Sequence, residues 1–193
     1  MLRASVDADL RIMFPMISSL DEFCQAREVV WQAMADLKRK NIGHNANPQL
    51  GMMVELPCVV HLMDELAQEV DFFSIGTNDF IQFMLGVDRT NDSVADCYLP
   101  HHPAVLHGLH TIVHTATEHG RTVSICGDMA HEPRYIPFLL RIGVRALSVD
   151  PAYLLRTQQT IRATSILEAE DFAQTLLAQK RISDIDALLP EAQ

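Results

Sequence analysis

Three apolar runs in this chain stop abruptly on small polar or acidic residues. "GMMVEL" brings in Glu55, "DFFSIGTND" ends on Thr77, Asn78 and Asp79, and "TVSICGD" ends on Cys126, Gly127 and Asp128. In a parallel α/β fold, ligands bind at the carboxyl ends of the strands, so these are the residues to test for chemistry. Glu55 and Asp79 follow successive runs. Two hard carboxylates with open coordination positions suit Mg²⁺, which takes one or two protein carboxylates and completes its shell with water and substrate oxygens. The plainer alternative is that Glu55 merely ends a strand and Asp79 caps the helix after it.

Other side chains carry weaker signals. Arg89, in "GVDRTND", is a candidate anion clamp because its planar fork matches phosphate or carboxylate, although a loop arginine is commonly just solvated. Cys126 is a candidate acid or nucleophile; a buried inert thiol is the commoner use of cysteine. Arg11 stands near the start of the first run, "LRIMF". His107, His110 and His114 share one helical face without an evident carboxylate partner, and His101 and His102 read as surface residues.

The elements that must position these groups alternate along the chain. "LRIMFPM" (10–16) reads as a strand, followed by a helix capped by Ser18 or Ser19 with Phe23, Val30, Ala33, Met34 and Leu37 on one face. A strand over 51–56 leads into a helix opened by Pro57. "DFFSIG" is a strand, "TNDFIQFMLGVD" a short helix or turn, and 89–103 a loop. A helix then runs to Gly120, with "TVSICG" as a fourth strand, "EPRYIPFLLRIG" as a helix and "ALSVD" as a fifth strand. Helices over about 151–163, 166–179 and 182–189 complete the chain. Strands alternating with helices indicate a parallel sheet buried on both faces. Periodicity does not separate a doubly wound sheet from a βα-barrel, and five strands are too few to close an eight-stranded barrel.

Composition removes several classes. With 193 residues, 48% of them apolar, the chain can bury a core and reads as a single domain over 1–193. Its 25 acidic against 15 basic residues, a net charge of −10, argue against a nucleic-acid partner. No apolar run reaches the ~20 residues needed to cross a bilayer. Four cysteines without paired spacing read as free thiols in a reducing cytoplasm.

Taken together and in order, "RIMFPMI", "GMMVELP", "VDFFSIGTNDFIQFMLGVDRTN" and "SICGDMA" resemble the phosphoenolpyruvate-binding barrel of enzyme I, the phosphoenolpyruvate–protein phosphotransferase of the bacterial sugar phosphotransferase system. The likeness runs from about Leu2 to about Pro190. It implies a (β/α)8 TIM-barrel fold, of which this chain supplies about the last five βα units. It implies Glu55 and Asp79 as Mg²⁺ ligands, Asn78 and Arg89 on the phosphate and its neighbouring oxygens, and Arg11 on the phosphoryl group. Cys126 would protonate C3 of the enolate to give pyruvate. The implied partners are a phosphohistidine domain, a histidine-containing phosphocarrier protein and a second copy of the chain in a homodimer.

The resemblance has departures. The usual "CGE" is "CGD" here, with Asp128 one methylene shorter, and Leu56 follows Glu55 where the family has threonine. The first three strands, a further phosphate-binding arginine and the phosphohistidine domain are not in the sequence, so this chain alone is expected to be inactive in the complete cycle. Pyruvate phosphate dikinase and phosphoenolpyruvate synthase share the "GTND" and "CG" elements and provide an alternative parent. A non-catalytic dimerisation or regulatory module is the alternative of another class, against which the presence of Glu55, Asp79 and Cys126 speaks.

Overall fold

The computed structural model describes residues 1–190, apart from the side chains of residues 166–168 and 170. Five strands, Arg11–Phe14 (β1), Gln49–Val54 (β2), Phe72–Gly76 (β3), Thr122–Cys126 (β4) and Ala146–Leu147 (β5), form one sheet. Every neighbouring pair is parallel and the spatial order is β1-β2-β3-β4-β5. A doubly wound sheet reverses its order at a switch point. Here each strand lies beside its chain neighbour, which is the wall of a (β/α)8 barrel spanning about five of its units.

The helices between the strands are Leu20–Arg39 (α1), Met63–Glu69 (α2), Thr77–Leu85 (α3), Pro103–Glu118 (α4) and Ile136–Ile142 (α5). Leu154–Ala163 (α6), Ile166–Ala178 (α7) and Ile182–Asp186 (α8) follow β5. Successive helices touch along the wall: α1 meets α2, α2 meets α4, and α4 meets α5.

The pleat sorts the strand residues between two faces. Ile12, Leu50, Met52, Val54, Phe73, Ile75, Val123 and Ile125 turn towards the helices and are buried. Phe23 from α1, Phe80 from α3 and Phe138 from α5 are wholly buried in the same cluster. Each such side chain contributes roughly 1.5–3 kcal/mol by leaving water.

The other face mixes small or polar residues, Gly51, Ser74, Gly76, Thr122, Ser124 and Cys126, with the larger Arg11, Met13, Met53 and Phe72. The strands are therefore not uniformly buried as their composition implies. Central β3 is buried at every position, whereas β1 alternates exposed and buried residues because nothing pairs with its outer edge.

Local departures from the sequence reading have local causes. Ser19 caps α1, its Oγ accepting from the Glu22 N–H, while the Glu22 carboxylate accepts from Ser18 N–H (2.7 Å) and Oγ (2.8 Å). This reciprocal arrangement is of the capping-box kind. On its expected apolar face Phe23 and Val30 are buried, Met34 and Leu37 half-buried, and Ala33 exposed. Pro57 opens a 3₁₀ turn over Pro57–Leu62 before α2 begins, in keeping with the poor helix propensity of the β-branched pair Val59–Val60. At the far edge β5 is only two residues long, and Ser148 N–H adds one further bond to the Ile125 carbonyl at 2.8 Å.

Candidate active site

Glu55, Asn78, Asp79, Arg89 and Cys126 all arise at or beyond the carboxyl ends of β2, β3 and β4, on one rim of the sheet. Glu55 immediately follows β2 and is 7% exposed. Its Oε2 accepts from the Met16 N–H at 2.8 Å, and Met16 sits in the left-handed region with φ 55°. A non-glycine residue there is uncommon, and here it turns its N–H onto a carboxylate of the next strand.

Gly76 closes β3 and pairs in register with Cys126. A Cβ at Gly76 would lie 2.8 Å from Glu55 Cγ, so the glycine is what lets the Glu55 side chain cross the sheet at this level. The backbone then turns directly into α3, whose first residues are Thr77, Asn78 and Asp79.

A second clasp ties β3 to β4. Thr77 Oγ1 donates to the Cys126 carbonyl at 2.7 Å, and Asn78 Oδ1 accepts from the Asp128 N–H at 2.9 Å. Between them stands Gly127, with φ 88° and ψ −176°. Its missing Cβ would fall 2.3 Å from Thr77 Oγ1 and 2.7 Å from Asn78 Oδ1. Both the backbone angles and the space require glycine. Arg89, whose N–H donates to Gln82 Oε1 of α3 at 3.2 Å, reaches back to within 3.7 Å of the Asp128 carboxylate.

The electrostatics of this rim are those of an acidic pocket awaiting positive charge. Among the described residues neither Glu55 nor Asp79 forms an ion pair with a lysine, arginine or histidine. Burial pushes the Cys126 thiol up, and the Glu55 and Asp79 carboxylates push it further, while a hydrogen bond with the Ser74 side chain opposes them. The group is thus held as a neutral thiol, with Sγ 3.5 Å from the Ile75 carbonyl oxygen.

Tyr98 belongs to the same rim. Burial, reinforced by Asp128 and Asp79 and opposed by Arg89, pushes its hydroxyl up to about 12, and the hydroxyl donates to the Asn78 carbonyl at 3.4 Å. The sequence reading missed Tyr98 and the Met16 amide, and named Thr77 at its strand end without giving its hydroxyl a role. Tyr98 lies in a polar loop with no periodicity, and an amide donor has no side-chain signature.

One residue is not brought to the rim. Arg11 is the first residue of β1 and pairs with Gln49 at the start of β2, so it lies at the amino end of the sheet. The expectation that it contacts the phosphoryl group is corrected. The strand separates it from the rim, and its neighbours are Asp9 (3.8 Å) and the Phe72 ring (5.8 Å to the centroid). His101 also departs from expectation. It is buried, with Tyr135 Oη 3.3 Å from Nδ1 and the Asp186 carboxylate 3.0 Å from Nε2.

A divalent cation fits the donor set. A buried carboxylate is normally paired with a cation or bound to a metal, and Glu55 is buried without a cationic partner. Among the described residues no set of three or more His, Cys, Asp and Glu side chains is arranged to hold a metal. Glu55 and Asp79 are carboxylates of the kind Mg²⁺ sites use when substrate and water supply the remaining ligands.

Known proteins resemble this chain in sequence and shape. It is 38% identical over 185 residues to the phosphoenolpyruvate-protein phosphotransferase of Priestia megaterium, covering 96% of this chain and 32% of that protein. The protein of the same name from Bacillus subtilis (strain 168) is 36% identical over 191 residues, covering 99% and 34%. Multiphosphoryl transfer protein 1 of Escherichia coli (strain K12) is 36% identical over 188 residues, covering 97% and 23%. The chain thus spans between 23% and 34% of the length of these curated relatives. A citrate lyase structure from Burkholderia xenovorans LB400 shares the fold, with a TM-score of 0.59 at 20% identity over 96% of this chain and 63% of that one. A sequence model of the PEP-utilising enzymes, for their PEP-binding domain (PEP being phosphoenolpyruvate), matches residues 1–166, and with that match spanning most of its length, carboxylates, clasp and thiol included, the chain belongs to this family.

Proposed function

We propose that this chain is the PEP-binding part of a phosphoenolpyruvate–protein phosphotransferase. In that role PEP gives its phosphoryl group to a histidine on a separate domain, from which it passes to a phosphocarrier protein, and pyruvate is released. The observation that carries the reading is the cation-free pair of buried Glu55 and half-buried Asp79 beside a thiol that burial keeps protonated. The relatives' names favour this parent over a dikinase or synthase.

Glu55 and Asp79 would hold Mg²⁺, which when bound neutralises phosphate and carboxylate oxygens of the substrate. Asn78, fixed by the Asp128 amide, and Arg89, steered by Gln82 and Asp128, orient the phosphoryl group. Transfer of that group is chiefly positioning and charge neutralisation, so the protein supplies no covalent nucleophile here. As the phosphorus–oxygen bond to the enol oxygen breaks, the electron pair stays on oxygen and an enolate remains. Cys126 Sγ–H then gives its proton to C3, forming the carbon–hydrogen bond of pyruvate, and the thiolate is reprotonated from solvent. A thiol raised above its ordinary value retains the proton until the enolate forms.

We place the domain, over 1–193, in the cytoplasm as a homodimer. Four unpaired cysteines agree with a reducing compartment, and no helix among the described residues is long and apolar enough to cross a membrane. Calorimetric titration with PEP tests the site. Binding is expected with Mg²⁺, to be lost on chelation, and to be lost in Glu55→Gln and Asp79→Asn. Binding indifferent to metal and to both substitutions would overturn the assignment in favour of a non-catalytic module.

A further inference from the structure

The amino end of the sheet, opposite the rim described above, contains a cavity of about 490 Å³. Three guanidinium groups line it, from three separate parts of the chain: Arg11 at the start of β1, Arg121 just before β4, and Arg145 just before β5. No aspartate or glutamate lines it, although acidic residues outnumber basic ones by 25 to 15 in the whole sequence. Concentrating three of fifteen basic residues around one concavity gives a strongly acidic protein a local positive potential.

Two of the arginines are held in place by the fold. Arg121 Nε donates to the Ala67 carbonyl at 2.7 Å, and Arg145 Nη1 donates to the Leu140 and Val144 carbonyls at 2.7 and 2.9 Å. A guanidinium carries five N–H donors in a rigid fork, so these anchors fix each group and leave other donors for a ligand. Anchored donors lose little side-chain freedom when an anion arrives. Arg11 is half-exposed, lies over Phe72, and has only the exposed Asp9 carboxylate at 3.8 Å as a counter-charge. An exposed pair at that distance is worth little and is readily exchanged. The Thr122 hydroxyl adds a neutral donor on the β4 wall of the cavity, where Ser124 Oγ donates to the Phe73 carbonyl at 3.5 Å.

We propose that this cavity is a binding site for a small oxyanion, a phosphate or carboxylate compound, distinct from the substrate rim. The chemistry matches: planar cationic forks pair with tetrahedral and planar oxyanions, and charge-assisted bonds are the strong ones. The Phe72 ring and Val123 give an apolar side to the same cavity, which accommodates a short carbon skeleton behind the charged head. The site also accounts for Arg11, which the fold removes from the catalytic rim.

The test is a titration of the full chain, labelled with ¹⁵N, with inorganic phosphate and separately with malonate, followed by amide chemical shifts. Saturable shifts are expected at Thr122, Ser124 and Arg145, in Glu55→Gln as in the unmodified chain. Arg11→Gln and Arg145→Gln should each weaken binding by roughly tenfold or more, as loss of a charge-assisted contact does. Arg11→Gln removes no backbone anchor, so it reads the site even if Arg145→Gln impairs folding. Response to phosphate alone identifies a phosphate site, and response to malonate as well a general oxyanion site. Linear, unsaturable shifts, or shifts confined to Asn78 and Arg89 at the opposite rim, would overturn the proposal, as would full binding in Arg11→Gln.

Discussion

Replacing Gly127 with alanine isolates the clasp between β3 and β4. The residue has φ 88° and ψ −176°, a region essentially reserved for glycine and costing another residue about 1–3 kcal/mol. The new Cβ would also meet Thr77 Oγ1 at 2.3 Å and Asn78 Oδ1 at 2.7 Å. Those atoms form the bonds to the Cys126 carbonyl and from the Asp128 amide, and each bond lost removes about 0.5–1.5 kcal/mol. The sum is about 2–6 kcal/mol, and for a chain of this size each kcal/mol lowers Tm by about 2–4 °C. Gly86→Ala is the control: its φ of 63° is left-handed, but no atom lies within 4 Å of the new Cβ, so only the backbone term of about 1–2 kcal/mol applies. Urea denaturation would give both stabilities and calorimetry the PEP affinities. Gly127→Ala should cost more than Gly86→Ala and should weaken PEP binding, which Gly86→Ala should spare. Equal stability losses with unchanged PEP affinity would refute the clasp.

Further predictions concern protons. In a background where Cys24, Cys58 and Cys97 are serine, the Cys126 thiolate should appear, by ultraviolet absorbance, above the ordinary thiol range. Glu55→Gln should bring its midpoint down by removing a negative neighbour, and an unmoved midpoint would contradict the convergence of these groups. His101 is depressed by burial, with Arg134 acting in the same direction and Asp186 against it. Its folded pKa therefore lies below the unfolded value of about 6.5, so the unfolded chain takes up the proton first and stability is lost as pH falls from there through the folded pKa. Urea midpoints at pH 7.5 and 5.5 should separate more in the native chain than in His101→Gln; equal separations would reject this.

Much of the fold was legible because its signals are local. Apolar runs bounded by glycine or proline marked all five strands, and Ser18 or Ser19 and Gly120 marked helix ends by cap and turn chemistry that needs no tertiary context. Periodicity alone left the order of the strands open, since it reports what faces the core and not which strand lies beside which; the resemblance to the (β/α)8 barrel implied the consecutive order that the sheet has. The carboxylates and the thiol could be named from their places at strand ends. Arg11 was misplaced because its role was carried over from the resemblance alone, although its position at the start of the first run already pointed to the amino end, where the parallel register with Gln49 puts it. Tyr98 and His101 were missed or misread for a related reason: each acquires its surroundings from distant segments, Asn78 in one case and Asp186 in the other.

The consecutive strand order has a consequence for how such chemistry is inherited. Each loop arrives at the rim from its own strand–helix cassette, so the proposed metal-binding and proton-donating groups are carried on separate, portable segments. Grafting a foreign segment in place of residues 126–135 would change the proposed proton donor, Cys126, while leaving both carboxylates on their native supports. The Asp128–Asn78 bond is the seam between cassettes, and a graft that fails to restitch it would loosen the neighbouring loop as well as its own.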